Sequence, residues 1–177
     1  PRGKQVKNPH AIWYTPVSGI WQTVWLEPVS SKYISNVVSV ADIDNKNLKV
    51  KVGTQNTTSS DVVQIVLKEQ NTIVAMTKGV VGETLELALA DVKLWSPESP
   101  FLYDLEVTLL DKGKKTDKVK SYAAMRKISM HKDKDGIMRM QLNNKDCFQF
   151  GPLDQGWWPD GLYTAPTDEA LAYDIEK

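Results

Sequence analysis

Residues 95–103 read Trp-Ser-Pro-Glu-Ser-Pro-Phe-Leu-Tyr, and this stretch decides the fold class. Pro97 and Pro100 bracket a tight polar corner, because proline fixes its own backbone dihedral and donates no hydrogen bond from its nitrogen. Over 101–109 every second residue is apolar, which predicts a strand with one buried and one solvated face, as in antiparallel sheets. We expect the Tyr103 hydroxyl to bond a backbone group, as a corner tyrosine of a β-sandwich does.

The same alternation recurs across the middle of the chain, between clusters of Gly, Asn and Asp. These residues favour turns because they tolerate left-handed backbone or bond their own backbone. We predict turns at 44–47, 56–61, 78–79 and 111–113, and seven strands near 34–42, 47–55, 61–68, 72–77, 83–89, 101–110 and 116–130. This pattern predicts an all-β, immunoglobulin-like antiparallel β-sandwich, with a barrel or a single curved sheet as the alternative. The Cys-Trp-Cys pattern of antibody domains is absent, so the term describes architecture alone.

The segment before the predicted sandwich reads differently. Residues 1–19 are polar and interrupted by prolines, and we interpret them as a loop. Residues 20–29, Ile-Trp-Gln-Thr-Val-Trp-Leu-Glu-Pro-Val, predict one strand that its proline ends. We expect Trp21, Trp25 and Trp95 to pack against other residues rather than to bind a ligand, since large aromatic side chains supply much of a core's buried area.

The segment after the predicted sandwich changes from a hairpin to a helix. Residues 138–142 alternate, and a pair of asparagines then offers a hairpin turn into 146–150. Thr167 precedes two acidic residues and can cap a helix, because its hydroxyl accepts from a free backbone N–H of the first turn. Leu171 and Ile175 lie four residues apart and are predicted to share the buried face of that helix.

Composition narrows the function classes. The 177 residues are 41% hydrophobic and 25% charged, a globular mixture, and 22 basic residues balance 22 acidic ones. A zero net charge argues against a nucleic-acid or anionic-membrane partner, and no apolar run approaches the roughly 20 residues of a membrane span. The single cysteine, Cys147, excludes an internal disulfide, which is compatible with the cytoplasm and with export. Because the chain starts at Pro1 without Met and stops at Lys177 inside the predicted helix, we expect both ends to be cut.

Three parts of the chain carry a family resemblance. They are 18–27 (Ser-Gly-Ile-Trp-Gln-Thr-Val-Trp-Leu-Glu), the corner at 95–103, and 142–145 (Leu-Asn-Asn-Lys) with 148–151 (Phe-Gln-Phe-Gly). In this order they resemble glycoside hydrolase family 2, the family of the β-galactosidases. The resemblance implies the end of a sugar-binding jelly roll, an immunoglobulin-like domain and the first strand of a catalytic barrel. The Trp-rich stretch 151–161 is similar to the loop after that strand, which in barrels helps to build the active site.

The resemblance also implies a domain plan and a missing active site. It divides the chain into a partial jelly roll (1–33), the sandwich (34–130) and a partial barrel (131–177). In this family the acid/base glutamate lies in an Asn-Glu pair, and no such pair occurs in the sequence. Retaining glycosidases need two carboxylates about 5–5.5 Å apart, so we assign no catalytic residue and expect the chain alone to be catalytically silent.

Four residues are candidates for substrate binding in a longer parent enzyme. Trp157 and Trp158 could stack on a pyranose, and Asp154 and Asp160 could accept hydrogen bonds from sugar hydroxyls. Packing is the alternative for the tryptophans, and a solvated turn is the alternative for the aspartates. Family members specific for galactose carry Arg-Gly and a His-rich loop where this chain has Phe150-Gly151 and tryptophans. The sequence therefore leaves galactosidase, glucuronidase and mannosidase open.

Other chemistries lack the residues that they need. His10 and His131 have no second histidine or cysteine at ligand spacing, which argues against zinc. Residues 133–136, Asp-Lys-Asp-Gly, echo the start of a calcium loop but lack its later glutamate, so we interpret them as a solvated turn. Cys147 reads as a small strand residue rather than a nucleophile. We predict no cofactor and no metal.

Partners and location follow from the resemblance. It implies the jelly-roll and barrel domains of a longer chain as partners, a carbohydrate substrate only in the intact enzyme, and a periplasmic or extracellular parent. For the exposed terminal segments we expect disorder, docking on the sandwich, or a homodimer. Two other functions stay open: a free-standing module that binds glycans, and a sandwich that binds protein through an edge strand.

Overall fold

The computed structural model describes residues 3–153, 155 and 157–177. The chain divides into two units, one made of Pro1–Glu27 with Gly151–Lys177 and the other of Pro28–Phe150. The second unit holds all ten strands of the described residues, and the first holds the helix. The strands are β1 (Tyr33–Asp42), β2 (Asn47–Gln55), β3 (Val62–Glu69), β4 (Thr72–Val80), β5 (Thr84–Ala88), β6 (Tyr103–Asp111), β7 (Lys114–Ala123), β8 (Ile128–Lys132), β9 (Met138–Leu142) and β10 (Lys145–Asp146).

Seven of these strands form two antiparallel sheets around one core. One sheet has the order β1-β2-β5 and the other has the order β4-β3-β6-β7. Alternate residues of both sheets enter a single hydrophobic cluster, in which Val50, Ile65 and Val107 are fully buried. Burying one such side chain contributes about 1.5–3 kcal/mol, so these faces hold the two sheets together. The prediction of an all-β sandwich is confirmed.

The proline corner packs as its sequence predicts. Ser96 and Ser99 close it with two reciprocal backbone hydrogen bonds of 3.0 and 3.1 Å. Tyr103 opens β6 with its side chain buried, and its hydroxyl accepts a hydrogen bond from the backbone N–H of Lys93 at 2.8 Å. The expected corner tyrosine is confirmed. The hydroxyl satisfies a backbone donor that would otherwise lie beside the core without a partner.

Two details of the sandwich differ from prediction. The turn predicted at 78–79 is wrong, because β4 runs on to Val80, which still pairs with Val62 of β3. Gly79 serves the core instead: a Cβ at this position would lie 2.3 Å from Cδ2 of Leu85, which fills that space. The strand predicted over 116–130 is two strands, β7 and β8, because the chain leaves the sheet after Ala123 and buries Met125.

The eighth to tenth strands form a separate small sheet with the order β10-β9-β8. The predicted hairpin is confirmed for 138–142 and for the turn that follows. Its last strand is shorter than predicted, since β10 ends at Asp146 and Phe148 and Phe150 lie almost fully exposed. An alternating sequence pairs as a strand only where a neighbouring strand offers backbone partners.

The first unit has little regular structure. The strand predicted over 20–29 is wrong: these residues pair with no strand, and Trp21 and Trp25 are 58% and 71% exposed rather than packed. The helix α1 (Asp168–Glu176) is confirmed with its cap, since the Thr167 hydroxyl accepts from the N–H of Ala170 at 3.1 Å. Its predicted buried face is wrong, because no residue of the helix is buried. No helix among the described residues has the length and apolar character needed to cross a bilayer.

Candidate functional site: the tryptophan loop

The tryptophan loop, residues 157–164, is shaped by short-range backbone hydrogen bonds. Trp158 and Leu162 exchange two backbone hydrogen bonds of 2.8 and 3.1 Å, which close a tight turn. Gly161 lies inside this turn, and a Cβ there would come within 2.1 Å of the carbonyl oxygen of Thr164. The loop therefore needs glycine at this position, and the turn fixes the direction in which Trp158 leaves the backbone.

Trp157 belongs to an aromatic cluster. Its ring stacks on Tyr14, with ring centroids 5.8 Å apart and planes inclined by 18°, and meets Tyr163 edge to face at 5.2 Å. Gln5 donates a hydrogen bond of 2.7 Å to the Tyr163 hydroxyl. Such aromatic pairs add about 0.5–1.5 kcal/mol each beyond the area that they bury. Because protein aromatics already occupy its surroundings, the geometry favours the packing interpretation for Trp157.

The other candidates differ in what their side chains contact. Trp158 is partly exposed at the closing bridge of the turn. Asp160 is exposed, and its Oδ1 accepts from the N–H of Gly161 at 2.8 Å, as in a self-bonded turn. Asp154 lies outside the described residues. The predicted binding roles of the four residues stay predictions. Among those described, Asp160 is exposed, and Trp157 and Trp158 are both partly buried.

A shallow cavity accompanies this loop in the same unit. Its volume is about 320 Å³, and it is lined by Val17–Trp21 and Gly161–Thr164. The Thr164 hydroxyl donates to the backbone oxygen of Trp21 at 3.3 Å, which links the two lining segments. Sequence reasoning placed none of Gln5, Tyr14 or Val17 near the loop, because residues 1–19 carry no periodic signal that could bring them there.

In the turn at 133–136, which resembles the start of a calcium loop, the Asp133 carboxylate already accepts hydrogen bonds from neighbouring residues. Oδ1 of Asp133 accepts from the N–H groups of Asp135 and Ile137 at 2.9 Å, and its Oδ2 accepts from Nε of Arg139 at 2.8 Å. The Arg139 bond, followed by that from the Ile137 N–H, holds the pKa of Asp133 below its usual range. No group of three or more metal-ligating side chains occurs in the part of the chain that the structure describes. Asp133 therefore acts as a turn anchor.

The charged residues of the sandwich form structural ion pairs. Glu106 on β6 lies between two lysines, with its oxygens 2.9 Å from Nζ of Lys68 and 2.9 Å from Nζ of Lys118. Hydrogen bonds from Lys118 and then Lys68 lower the pKa of Glu106 from 4.5 to about 2. A carboxyl group held in its ionised form at this pKa is a poor proton donor near neutral pH.

This ion pair predicts how stability changes in acid. A depressed pKa adds stability that is fully present above the unfolded value of 4.5 and is lost as the pH falls through about 2. Glu106→Gln should therefore lower the urea midpoint at pH 7, and its difference from wild type should shrink between pH 4.5 and pH 2. Urea unfolding followed by circular dichroism measures both. Glu83→Gln removes the same charge at an exposed turn and is the control. If the difference in urea midpoint between Glu83→Gln and wild type shrinks over the same pH range, the ion pair is not the cause.

The fold places the chain in a class, and comparison with known proteins narrows that class to a family. A two-sheet antiparallel sandwich with a small appended sheet defines an all-β domain. The family model described as glycosyl hydrolases family 2 matches residues 25–126, more than half of the chain. The chain belongs to this family, and the resemblance read from the sequence is confirmed.

Three similar proteins illustrate the relationship. A Formosa agariphila protein named as a β-glucuronidase is 27% identical over 128 residues, which are 61% of this chain and 14% of that protein. A β-galactosidase of Lactococcus lactis is 25% identical over 169 residues, which are 90% of this chain and 16% of that protein. The solved β-glucuronidase of Ruminococcus gnavus in complex with D-glucuronic acid superposes with a TM-score of 0.69 at 16% identity, over 83% of this chain and 24% of that one.

These coverages set the scale of the chain. It spans about a sixth of the length of the curated relatives and about a quarter of the solved structure. The likeness to the solved structure shows a shared fold. The family match and the curated relatives support a fragment of a glycosidase. The predicted domain limits at 33/34 and 130/131 stay predictions.

Proposed function

We propose that this chain is a non-catalytic portion, centred on the immunoglobulin-like sandwich, of a longer family 2 enzyme that hydrolyses β-linked sugars with retention. The observation that carries the proposal is the family match over residues 25–126 in a chain that spans 14–16% of its curated relatives. The directions of the carboxyl pKa shifts support it. Every described carboxyl group whose pKa departs clearly from its ordinary value departs downward. A retaining glycosidase needs one carboxyl group with a raised pKa to protonate the leaving oxygen.

The partners of these carboxylates explain the direction of the shifts. Lysine ammonium groups, amide nitrogens and backbone N–H groups donate to them, which favours the ionised form. Such carboxylates stay ionised near neutral pH and hold loops and strands together. The sandwich is in this view a spacer, and its partners are the other domains of the longer chain, whose location we propose to be periplasmic or extracellular.

The tryptophan loop is the part that we assign to sugar recognition in the longer enzyme. The contacts of Trp157 favour support of the loop. Asp160 is exposed and Trp158 is partly exposed, so a sugar could reach both side chains. The names of the curated relatives, β-glucuronidase and β-galactosidase, make a uronic acid and galactose the two sugars to test first.

Activity and binding assays on the purified chain test the proposal. Nitrophenyl β-glucuronide and nitrophenyl β-galactoside should show no release of nitrophenol above the buffer rate, with a commercial β-galactosidase as the positive control. Calorimetric titration with oligosaccharides should show no binding in the millimolar range. Turnover that tracks the purified chain through chromatography would contradict the proposal, and millimolar binding would favour the glycan-binding module instead.

A further inference from the structure

The small sheet of β8, β9 and β10 has few ways of being held to the sandwich. In the described part of the chain, its strands make extensive contacts with one another and few with the seven strands of the sandwich. Residues 124–127 form the linker between β7 and this sheet. Within the linker, Met125 pairs with Leu94, and its backbone oxygen accepts from the N–H of Trp95 at 3.0 Å, at the start of the proline corner. A sheet attached in this way is free to tilt unless side chains fix it.

Asn143 supplies three hydrogen bonds at this junction. Its Nδ2 donates to the backbone oxygen of Trp95 at 2.9 Å, which reaches the corner from the small sheet. Its Oδ1 accepts from the backbone N–H of Lys127 at 3.0 Å, and its own N–H donates to the backbone oxygen of Lys127 at 2.8 Å. An amide side chain is suited to this place because it offers a donor and an acceptor at once.

A second set of contacts comes from the sandwich side. Asp44, in the turn between β1 and β2, accepts from Nδ2 of Asn144 at 2.7 Å and from Nζ of Lys127 at 2.5 Å. Next to it, the Arg126 guanidinium lies 4.9 Å from the centre of the Trp95 ring. The linker 124–127 is therefore tied to the sandwich at both ends. Met125 is held by its backbone bond with Trp95, and Lys127 is held by its ion pair with Asp44.

We propose that Asn143 and Asn144 form a clasp that fixes the tilt of the small sheet on the sandwich, with the Trp95 carbonyl and Asp44 as its two anchors. The proposal rests on the proposed function, because a spacer must fix the orientation of the domain that follows it in the longer chain. Both asparagines adopt left-handed backbone, with φ of 53° and 63°, which Asn tolerates better than most residues. Glycine would form the same turn but would lack the anchoring bonds.

Hydrogen exchange and residual dipolar couplings of the whole chain test the clasp. Asn143→Gly keeps the turn without strain and removes the side-chain bonds to Trp95 and Lys127. We expect amides of β8 and β9 to exchange roughly tenfold faster, while those of β3 and β6 keep their rates. Dipolar couplings of both sheets should fit one alignment tensor in the wild type and should not do so in the variant.

A matched variant and a second route guard the conclusion. Asn56 also has left-handed backbone, with φ of 56°, and its Nδ2 donates to the backbone oxygen of Ser31 at 2.8 Å, so Asn56→Gly removes a similar bond away from the junction. It should leave β8 and β9 unchanged. Asp44→Ala cuts the second anchor from the sandwich side and should reproduce a weaker form of the effect. Unchanged exchange and a single tensor in Asn143→Gly would overturn the clasp, as would equal acceleration in β3 and β6. These readouts do not depend on glycoside hydrolysis.

Discussion

Tyr103→Ala is expected to lower the free energy of unfolding of the sandwich by about 3–5 kcal/mol, the range for removing a buried aromatic side chain. Tyr103 is 1% exposed and belongs to the core cluster that both sheets share. Its ring meets Phe101 edge to face at 4.8 Å, so truncation also removes an aromatic contact. Guanidinium unfolding followed by far-ultraviolet circular dichroism measures the loss.

Two further tyrosine variants separate the ring from its hydroxyl. Tyr103→Phe keeps the ring but leaves the backbone N–H of Lys93 without its acceptor, and a buried unsatisfied donor costs about 1–3 kcal/mol. Tyr122 lies on β7, where it pairs with Asp104 of β6, and its side chain is 67% exposed. Tyr122→Ala should therefore change the free energy of unfolding by no more than about 0.5 kcal/mol. If Tyr103→Phe proves as mild as Tyr122→Ala, the hydroxyl does not anchor the corner. Should Tyr103→Ala fail to fold, the phenylalanine variant still decides this point.

The sandwich was predictable from sequence because burial in a two-sheet fold has a period of two. Over 101–109, each apolar residue of the pattern lies in the core or packs against it. The same signal could not tell where β7 ends and β8 begins, since both alternate and only pairing with β6 or β9 separates them. It also could not show that residues 20–29 form no strand here, because a strand depends on a neighbour as much as on its own residues.

The candidate site was less predictable than the fold. The sequence singled out Trp157 and Trp158 by residue type alone, and it could not show that Tyr14 and Tyr163 surround the first of them. Loop contacts between residues far apart in sequence have no periodicity, so no pattern announces them. The anchoring roles of Asn143 and Asp44 were missed for the same reason, although the turn that contains Asn143 was recognised.

The burial of Asp61 could not be predicted from the sequence, because there it is the last residue of a polar turn. The structure buries its carboxylate completely, and both oxygens accept from Nζ of Lys32, at 2.8 and 2.9 Å. The N–H of Thr58 donates to the same carboxylate at 2.6 Å, and the backbone oxygen of Asp61 accepts from Val81 at 3.1 Å. Asp61 therefore ties the segment before β1 and the turns on either side of β3 and β4 to one point.

We expect Asp61→Asn to be the most damaging single charge change in the sandwich. It leaves the Lys32 ammonium facing a neutral amide, and breaking a buried pair by removing one partner is strongly destabilising. The control is Asp111→Asn, which removes the other carboxylate of Lys32, 3.0 Å from Nζ, but at a position with a 33% exposed side chain. The fall in the urea midpoint at pH 7 should be about threefold larger for Asp61→Asn than for Asp111→Asn, because exposed pairs contribute little.

The pH dependence of the same variant tests the electrostatic cause. The Lys32 hydrogen bond, followed by the Thr58 N–H, lowers the pKa of Asp61 from 3.8, so its contribution is complete above pH 3.8 and is lost as the pH falls through the folded value below that. Hydrogen bonds to Asp61 and then Asp111 raise the pKa of Lys32 from 10.5, so its contribution is complete below pH 10.5 and is lost above the raised value. The stability difference between wild type and Asp61→Asn should therefore be flat between these limits and should shrink on both sides. A difference that persists unchanged well below pH 3.8 would mean that Asp61 acts through shape and hydrogen bonding rather than through its charge.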